Sequence, residues 1–152
     1  MKRNNVSNME CRNCGKDING NRIFCCTKCQ RDYEYKTYIS RWKDGLESGL
    51  RGKYSVSQNI RRYLFEKHNN KCEKCGWGEV NPTTGLVPLQ IHHIDGNALN
   101  NKESNLQLLC PNCHSLTENF GSRNRNANHD RLIYFGLNKY SPKALMVDAL
   151  DF

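Results

Sequence analysis

No stretch of this 152-residue sequence is apolar enough to span a bilayer, and its start, MKRNNVSNME, holds no apolar run that could act as a secretory leader. The expectation is a cytoplasmic chain with no membrane partner. Apolar residues are scarce throughout, at 37% hydrophobic with a mean hydropathy of −0.83. At this length there is room for one modest domain or two very small ones, and small chains bury a smaller fraction of their surface. A self-sufficient core of ordinary side chains is therefore not expected. Low-complexity runs and long repeats are absent too. Acidic residues are the minority charge, 15 against 23 Lys plus Arg, which leaves +8 and a pI near 9.1. An excess of that size attracts a polyanion, and nucleic acid is the commonest one.

Against these shortages stand nine cysteines. In a reducing compartment paired cysteines read as metal ligands or redox groups, and an odd count fits a disulfide framework badly. Their placement suggests four segments: a finger over 9–34, a helical connector over 35–70, a second cysteine domain over 71–120, and a basic, polar extension over 121–152 that opens GSRNRNANHD. The first cluster is Cys11-x2-Cys14 followed by Phe24-Cys25-Cys26-Thr27-Lys28-Cys29. Four tetrahedral thiolates suit a structural zinc, and either Cys25 or Cys26 can join Cys29. The stretch resembles treble-clef zinc fingers with an FCS-x-x-C signature. That resemblance implies Cys25 as the ligand, with Cys26 standing where Ser is usual. The second cluster, Cys72-x2-Cys75 with Cys110-x2-Cys113, is a strong zinc pattern whose long insert would be clamped at both ends. Such sites supply roughly 10–16 kcal/mol in zinc-finger peptides, so metal is expected to replace the missing core.

Tyr35, Ile39 and Trp42 recur at helical intervals after Thr27 until Gly45 and Gly49 interrupt them. A second helix is expected from about Ser57 to Lys67. Ile60, Tyr63, Leu64 and Lys67 share one side of it, with Arg61 and Arg62 beside them. Between the cysteine pairs, Leu86–Ile91 and Leu106–Leu109 read as strands and Asp95-Gly96 as a turn. His114-Ser115-Leu116-Thr117-Glu118 should open a helix, completing a strand–strand–helix unit. Neighbouring strand residues point to opposite sides, so the strand must twist or end at His92-His93 if both are to serve one site. Trp77 reads as packing.

The words IHHIDGN and NNKESNLQLLCPNCH resemble the HNH nuclease family with its ββα-metal fold. The resemblance covers residues 72–120 and, with the FCS-type finger of phage-encoded HNH endonucleases, extends over 9–120. It implies an α+β protein: a zinc-stabilised, treble-clef-like nuclease unit preceded by a zinc finger and a helical connector. It implies His93 as general base, Asn105 as the residue bracing the loop, and His92 and His114 as ligands of a catalytic divalent ion. Many relatives carry Asp or Glu where this chain has His92. Two structural Zn²⁺ and one catalytic Mg²⁺, Mn²⁺, Ni²⁺ or Zn²⁺ are the implied cofactors. The implied partner is DNA, nicked or cut through both strands to leave 5′-phosphate and 3′-hydroxyl ends. Glu118 is a candidate extra ligand. Arg61, Arg62, Arg123 and Arg125, with Lys102 and Arg131, are candidates for phosphate contact. Two other readings stay open: a zinc-finger nucleic-acid binder without catalysis, and a phage packaging or assembly factor whose nuclease needs a partner. Monomer and homodimer both remain open.

Overall fold

A computed structural model describes residues 9–124, which part between Glu47 and Ser48 into two compact units. The first unit begins with a short antiparallel pair, β1 (Met9–Glu10) against β2 (Asp17–Ile18). The connection between them carries Cys11 and Cys14 and closes with the Gly15 N–H donating to the Cys11 carbonyl at 2.8 Å. Gly15 has φ +72°, a left-handed value that a side chain would strain. Helix α1 (Thr27–Lys43) follows, with Cys26 as its N-cap and Ile39 and Trp42 buried. Arg41 and Lys43 lie in its last turn, where the free carbonyls favour cations. The helix runs unbroken past residues 34 and 35, where the sequence suggested a boundary between finger and connector.

The second unit opens with a hairpin, β3 (Leu50–Arg51) against β4 (Ser55–Val56), and helix α2 (Gln58–Lys67). Ser57 caps α2 by accepting from the Ile60 N–H at 3.3 Å. Ile60 and Leu64 are fully buried on the inner face. From that side Tyr63 Oη and Lys67 Nζ each donate to Glu103 Oε1 at 2.7 Å, tying α2 to a 3-10 turn, Glu103–Asn105. Strand β5 (Gln90–His93) then pairs antiparallel with β6 (Leu106–Leu109), with His92 opposite Gln107 and His93 opposite Leu106. Helix α3 (Pro111–Ser115) closes the unit, capped by Cys110 and started by a proline at a position where no N–H is needed.

Two elements differ from the sequence expectation. The first strand begins at Gln90 rather than Leu86, because Pro88 has no N–H for a ladder and the Leu89 N–H turns back to the Val87 carbonyl at 2.8 Å. It also runs on through His93. The last helix starts three residues before His114 and lasts five residues, set by the Cys110 cap.

The core of this unit is built on its sulfurs. Cys72, Cys110 and Cys113 are buried with Leu89, Leu108 and Leu109, and Phe65, Trp77, Val87 and Ile91 pack around them. Trp77 is thus packing, as its position suggested. The chain is α+β, with two-stranded sheets and short helices gathered at two four-cysteine clusters. Among the described residues no helix is long and apolar enough to cross a membrane.

Candidate active site

The scaffold comes first. In each unit one ligand atom from each of four cysteines falls within 4.8 Å of the others: Cys11, Cys14, Cys25 and Cys29, then Cys72, Cys75, Cys110 and Cys113. Sulfurs about 2.3 Å from a common tetrahedral centre lie about 3.8 Å apart. The Cys14–Cys25, Cys25–Cys29 and Cys75–Cys110 Sγ separations are 3.7, 3.4 and 3.8 Å. Both sets therefore fit a zinc ion. Cys26 falls outside the first quartet, and its sulfur accepts from the Cys29 N–H at 3.5 Å. The two Cys-x-x-Cys-Gly turns are alike, since Gly76 N–H donates to the Cys72 carbonyl at 2.8 Å and Gly76 has φ +74°. Burial raises the Cys72 thiol, but backbone N–H groups of Cys110, Cys75 and Lys74 outweigh it and bring the value down to about 6. The same balance, with N–H groups of Cys25, Asn13 and Cys14, brings Cys11 to about 6. One thiol of each quartet is thus ready to ionise, as a metal ligand must, while hydrogen bonding to Cys75 pushes Cys113 up to about 12 and hydrogen bonding to Cys29 raises Cys25.

Onto the second of these scaffolds β5 and α3 bring three histidines. His92 is 7% exposed, whereas His93, at the end of the ladder, is half-buried. The His92 and His114 rings meet edge to face with centroids 5.3 Å apart, and the Phe120 ring meets His114 edge to face at the same distance. Burial pushes both of these imidazoles down from the usual histidine range; for His92 the neighbouring His114 and His93 add to it. They are held neutral, with lone pairs available. The Nδ1 of His114 is buried and has no hydrogen-bond partner. A buried nitrogen left in that state is costly, and a bound cation would give it a partner. The residues present thus fit a divalent ion. His93 and His114 line one open cleft of about 700 Å³. The divergence expected of neighbouring strand residues is met by His114, which touches His92 and shares the cleft with His93.

The loop between β5 and β6 is tied by side-chain amides. Asn105 Oδ1 accepts from the Asp95 N–H at 3.0 Å, and its Nδ2 donates to Asp95 Oδ1 and the Asn100 carbonyl, both at 2.8 Å. Asp95 also accepts from the Asn97 N–H at 2.8 Å and from Asn100 Nδ2 at 2.6 Å. Burial works to raise the Asp95 carboxyl, but hydrogen bonds from Asn100, Asn97 and Asn105 and the proximity of His93 hold it below the usual carboxylate range. Asn101, 3% exposed, places Oδ1 2.8 Å from His93 Nε2 and turns Nδ2 toward the Ser48 carbonyl at 3.4 Å. Asn119 and Asn124 donate to the carbonyls of Ile94 and Gly96 at 2.8 Å.

Asp95 and Asn101 were not singled out from the sequence beyond a turn. Their signal was the density of amides after Asp95-Gly96, but Asn97, Asn100, Asn101 and Asn105 look alike in one dimension. The arginine candidates separate sharply. Arg61 lines the histidine cleft, whereas Arg62 Nε is bonded to Glu66 Oε1 at 2.7 Å. Arg123 donates to the Ser115 carbonyl at 3.0 Å, at the end of α3. Arg125 and Arg131 lie outside the described residues. Lys102 is exposed. Glu118 is exposed, and no cluster of three or more metal-capable side chains includes it among the described residues.

Residues 72–120 match the HNH endonuclease family. Over 94 residues the chain is 33% identical to "H-N-H endonuclease F-TflIV" of Escherichia phage T5, an alignment covering 59% of this chain and 39% of the relative. The chain thus spans about two fifths of that relative's length. No solved structure matches.

Proposed function

We propose that this chain, whose residues 72–120 are an HNH endonuclease domain, hydrolyses DNA phosphodiester bonds with His93 as general base. The observation that carries the reading is the meeting of His93 and His114 in one cleft, with His92 buried against His114. The basic charge of the chain agrees with an anionic substrate.

The roles follow from what each side chain can exchange. Asn101 gives its Nδ2 to a carbonyl, so the atom facing His93 is its Oδ1, an acceptor. His93 therefore carries its proton on Nε2 and keeps the Nδ1 lone pair to take a proton from water. Asn105 and Asp95 hold the chain just after His93 in one shape, which fixes the ring's direction. His92 and His114 would hold a divalent ion, which when bound supplies positive charge to the phosphoryl and departing oxygens. Two imidazoles favour Mn²⁺, Ni²⁺ or Zn²⁺ by affinity and leave Mg²⁺ its advantage of abundance. Each four-cysteine cluster would hold a structural zinc, and the one at Cys72, Cys75, Cys110 and Cys113 stations the histidine segment.

The test is cleavage of supercoiled plasmid by the zinc-loaded chain across Mg²⁺, Mn²⁺, Ni²⁺ and Zn²⁺. Nicked and linear products distinguish single- from double-strand cutting. His93→Ala should slow cleavage about 10²- to 10⁴-fold while zinc content and DNA binding stay intact. A His93→Ala protein that cuts at the parent's rate would remove His93 from this role. Binding without cleavage under every ion would point instead to a nucleic-acid-binding protein.

A further inference from the structure

We propose that the β3–β4 hairpin and the adjoining face of α2 form a phosphate-binding lip, with Arg51 and Arg61 gripping the DNA backbone on either side of the bond presented to His93. The substrate class rests on the nuclease reading above, but the lip itself rests on separate observations. One wall of the histidine cleft comes from residues 51–61, upstream of the family match at 72–120. That wall contributes Arg51, Tyr54 and Arg61 to the cleft that His93 and His114 also line, and among the described residues no carboxylate lines it. The fixed charges that the described residues bring to it, Arg51 and Arg61, are cationic.

Both arginines are exposed, and neither is paired with a carboxylate among the described residues. Arg61 lies over the Phe65 ring at 5.6 Å, which steadies the guanidinium without consuming its donors. Arg62, the next residue, shows the contrast, because its Nε is tied to Glu66 at 2.7 Å. Unpaired planar forks at the mouth of a cleft suit the oxygens of a phosphodiester better than any neutral ligand. Arg51 sits on a two-residue strand fixed by its pairing with Ser55, so its backbone is positioned before substrate arrives.

The test uses the full, zinc-loaded chain carrying His93→Ala, with binding to duplex DNA followed by fluorescence anisotropy over a range of salt. Adding Arg51→Gln or Arg61→Gln should weaken binding roughly tenfold each. Each should also lower the slope of log affinity against log salt by about one. Arg51→Lys and Arg61→Lys should restore the slope, and Arg62→Gln should leave it unchanged. Zinc content confirms that each variant is folded. Parent-like affinity and slope in both glutamine variants overturn the lip, whether or not the parent chain cleaves. Arginine-dependent binding by a chain that never cleaves supports the lip and refutes the nuclease reading.

Discussion

His93 Nε2 lies 2.8 Å from the Oδ1 of Asn101, a buried amide eight residues downstream. On the role proposed for His93, this contact selects the ring nitrogen that holds the proton and makes Asn101 a positioning residue that acts through it. Asn101→Ala should lower kcat about tenfold to a hundredfold with KM close to the parent's, because the base loses orientation while the DNA contacts remain. Steady-state cleavage of an oligonucleotide duplex separates the two constants. A raised KM at unchanged kcat would assign Asn101 to binding instead.

Removing a single sulfur should unfold one unit and spare the other. Cys72, Cys110 and Cys113 are half of a core whose remainder is Leu89, Leu108 and Leu109. Without their ion they would be a few apolar groups beside mutually repelling thiolates. Cys72→Ser should halve the bound zinc, abolish cleavage and remove amide-exchange protection over residues 48–124. Protection over 9–47 should persist, since that unit has its own quartet. Metal content and hydrogen exchange read both effects. Equal loss of protection in the two units would show that they fold as one.

What was legible in one dimension was whatever spacing alone determines. The cysteine quartets, the α2 face carrying Ile60 and Leu64, and β6 leading into Cys110 all follow from short-range periodicity and pairing. What was hidden depends on contacts across the chain. Arg61 and Arg62 are adjacent and identical in type, yet helical rotation sends one to the cleft and the other to Glu66. Asn101 is likewise one amide in a run, and only the approach of Ser48 and His93 from elsewhere sets it apart. The start of β5 slipped because hydrophobicity over Leu86–Leu89 is blind to the missing N–H of Pro88.

Gly96 tests how tightly the turn after His93 is built. Its φ is +72°, and a Cβ there would run into the Asn124 side-chain amide and crowd Asn119. Those same amides donate to the Gly96 and Ile94 carbonyls. Gly96→Ala should therefore cost about 1–2 kcal/mol for the left-handed backbone alone, and more while Asn124 is in place. Adding Asn124→Ala should recover the steric part, so the double variant should be more stable than the two single effects sum to. Urea midpoints of the four proteins decide it, and strict additivity would place the Asn124 amide away from this turn.

The choice between Cys25 and Cys26 can be settled by substituting serine, because the two sulfurs do different work in the structure. Cys25 stands 3.7 Å from Cys14 and 3.4 Å from Cys29, within the quartet. Cys26 caps α1 by accepting the Cys29 N–H, a role in which a serine hydroxyl is among the best groups available. Cys26→Ser should therefore keep two zincs per chain and hold or slightly raise the stability of the first unit. Cys25→Ser should drop to one zinc per chain, because a neutral hydroxyl replaces a thiolate in the first coordination sphere. Since Cys26 lies 3.8 Å from Cys25 Sγ, it is also the one sulfur near enough to step in. The double variant Cys25→Ser/Cys26→Ser removes that rescue. If the single Cys25→Ser variant keeps its zinc and the double variant loses it, Cys26 can replace Cys25; if Cys26→Ser alone loses zinc, Cys26 was the ligand from the start.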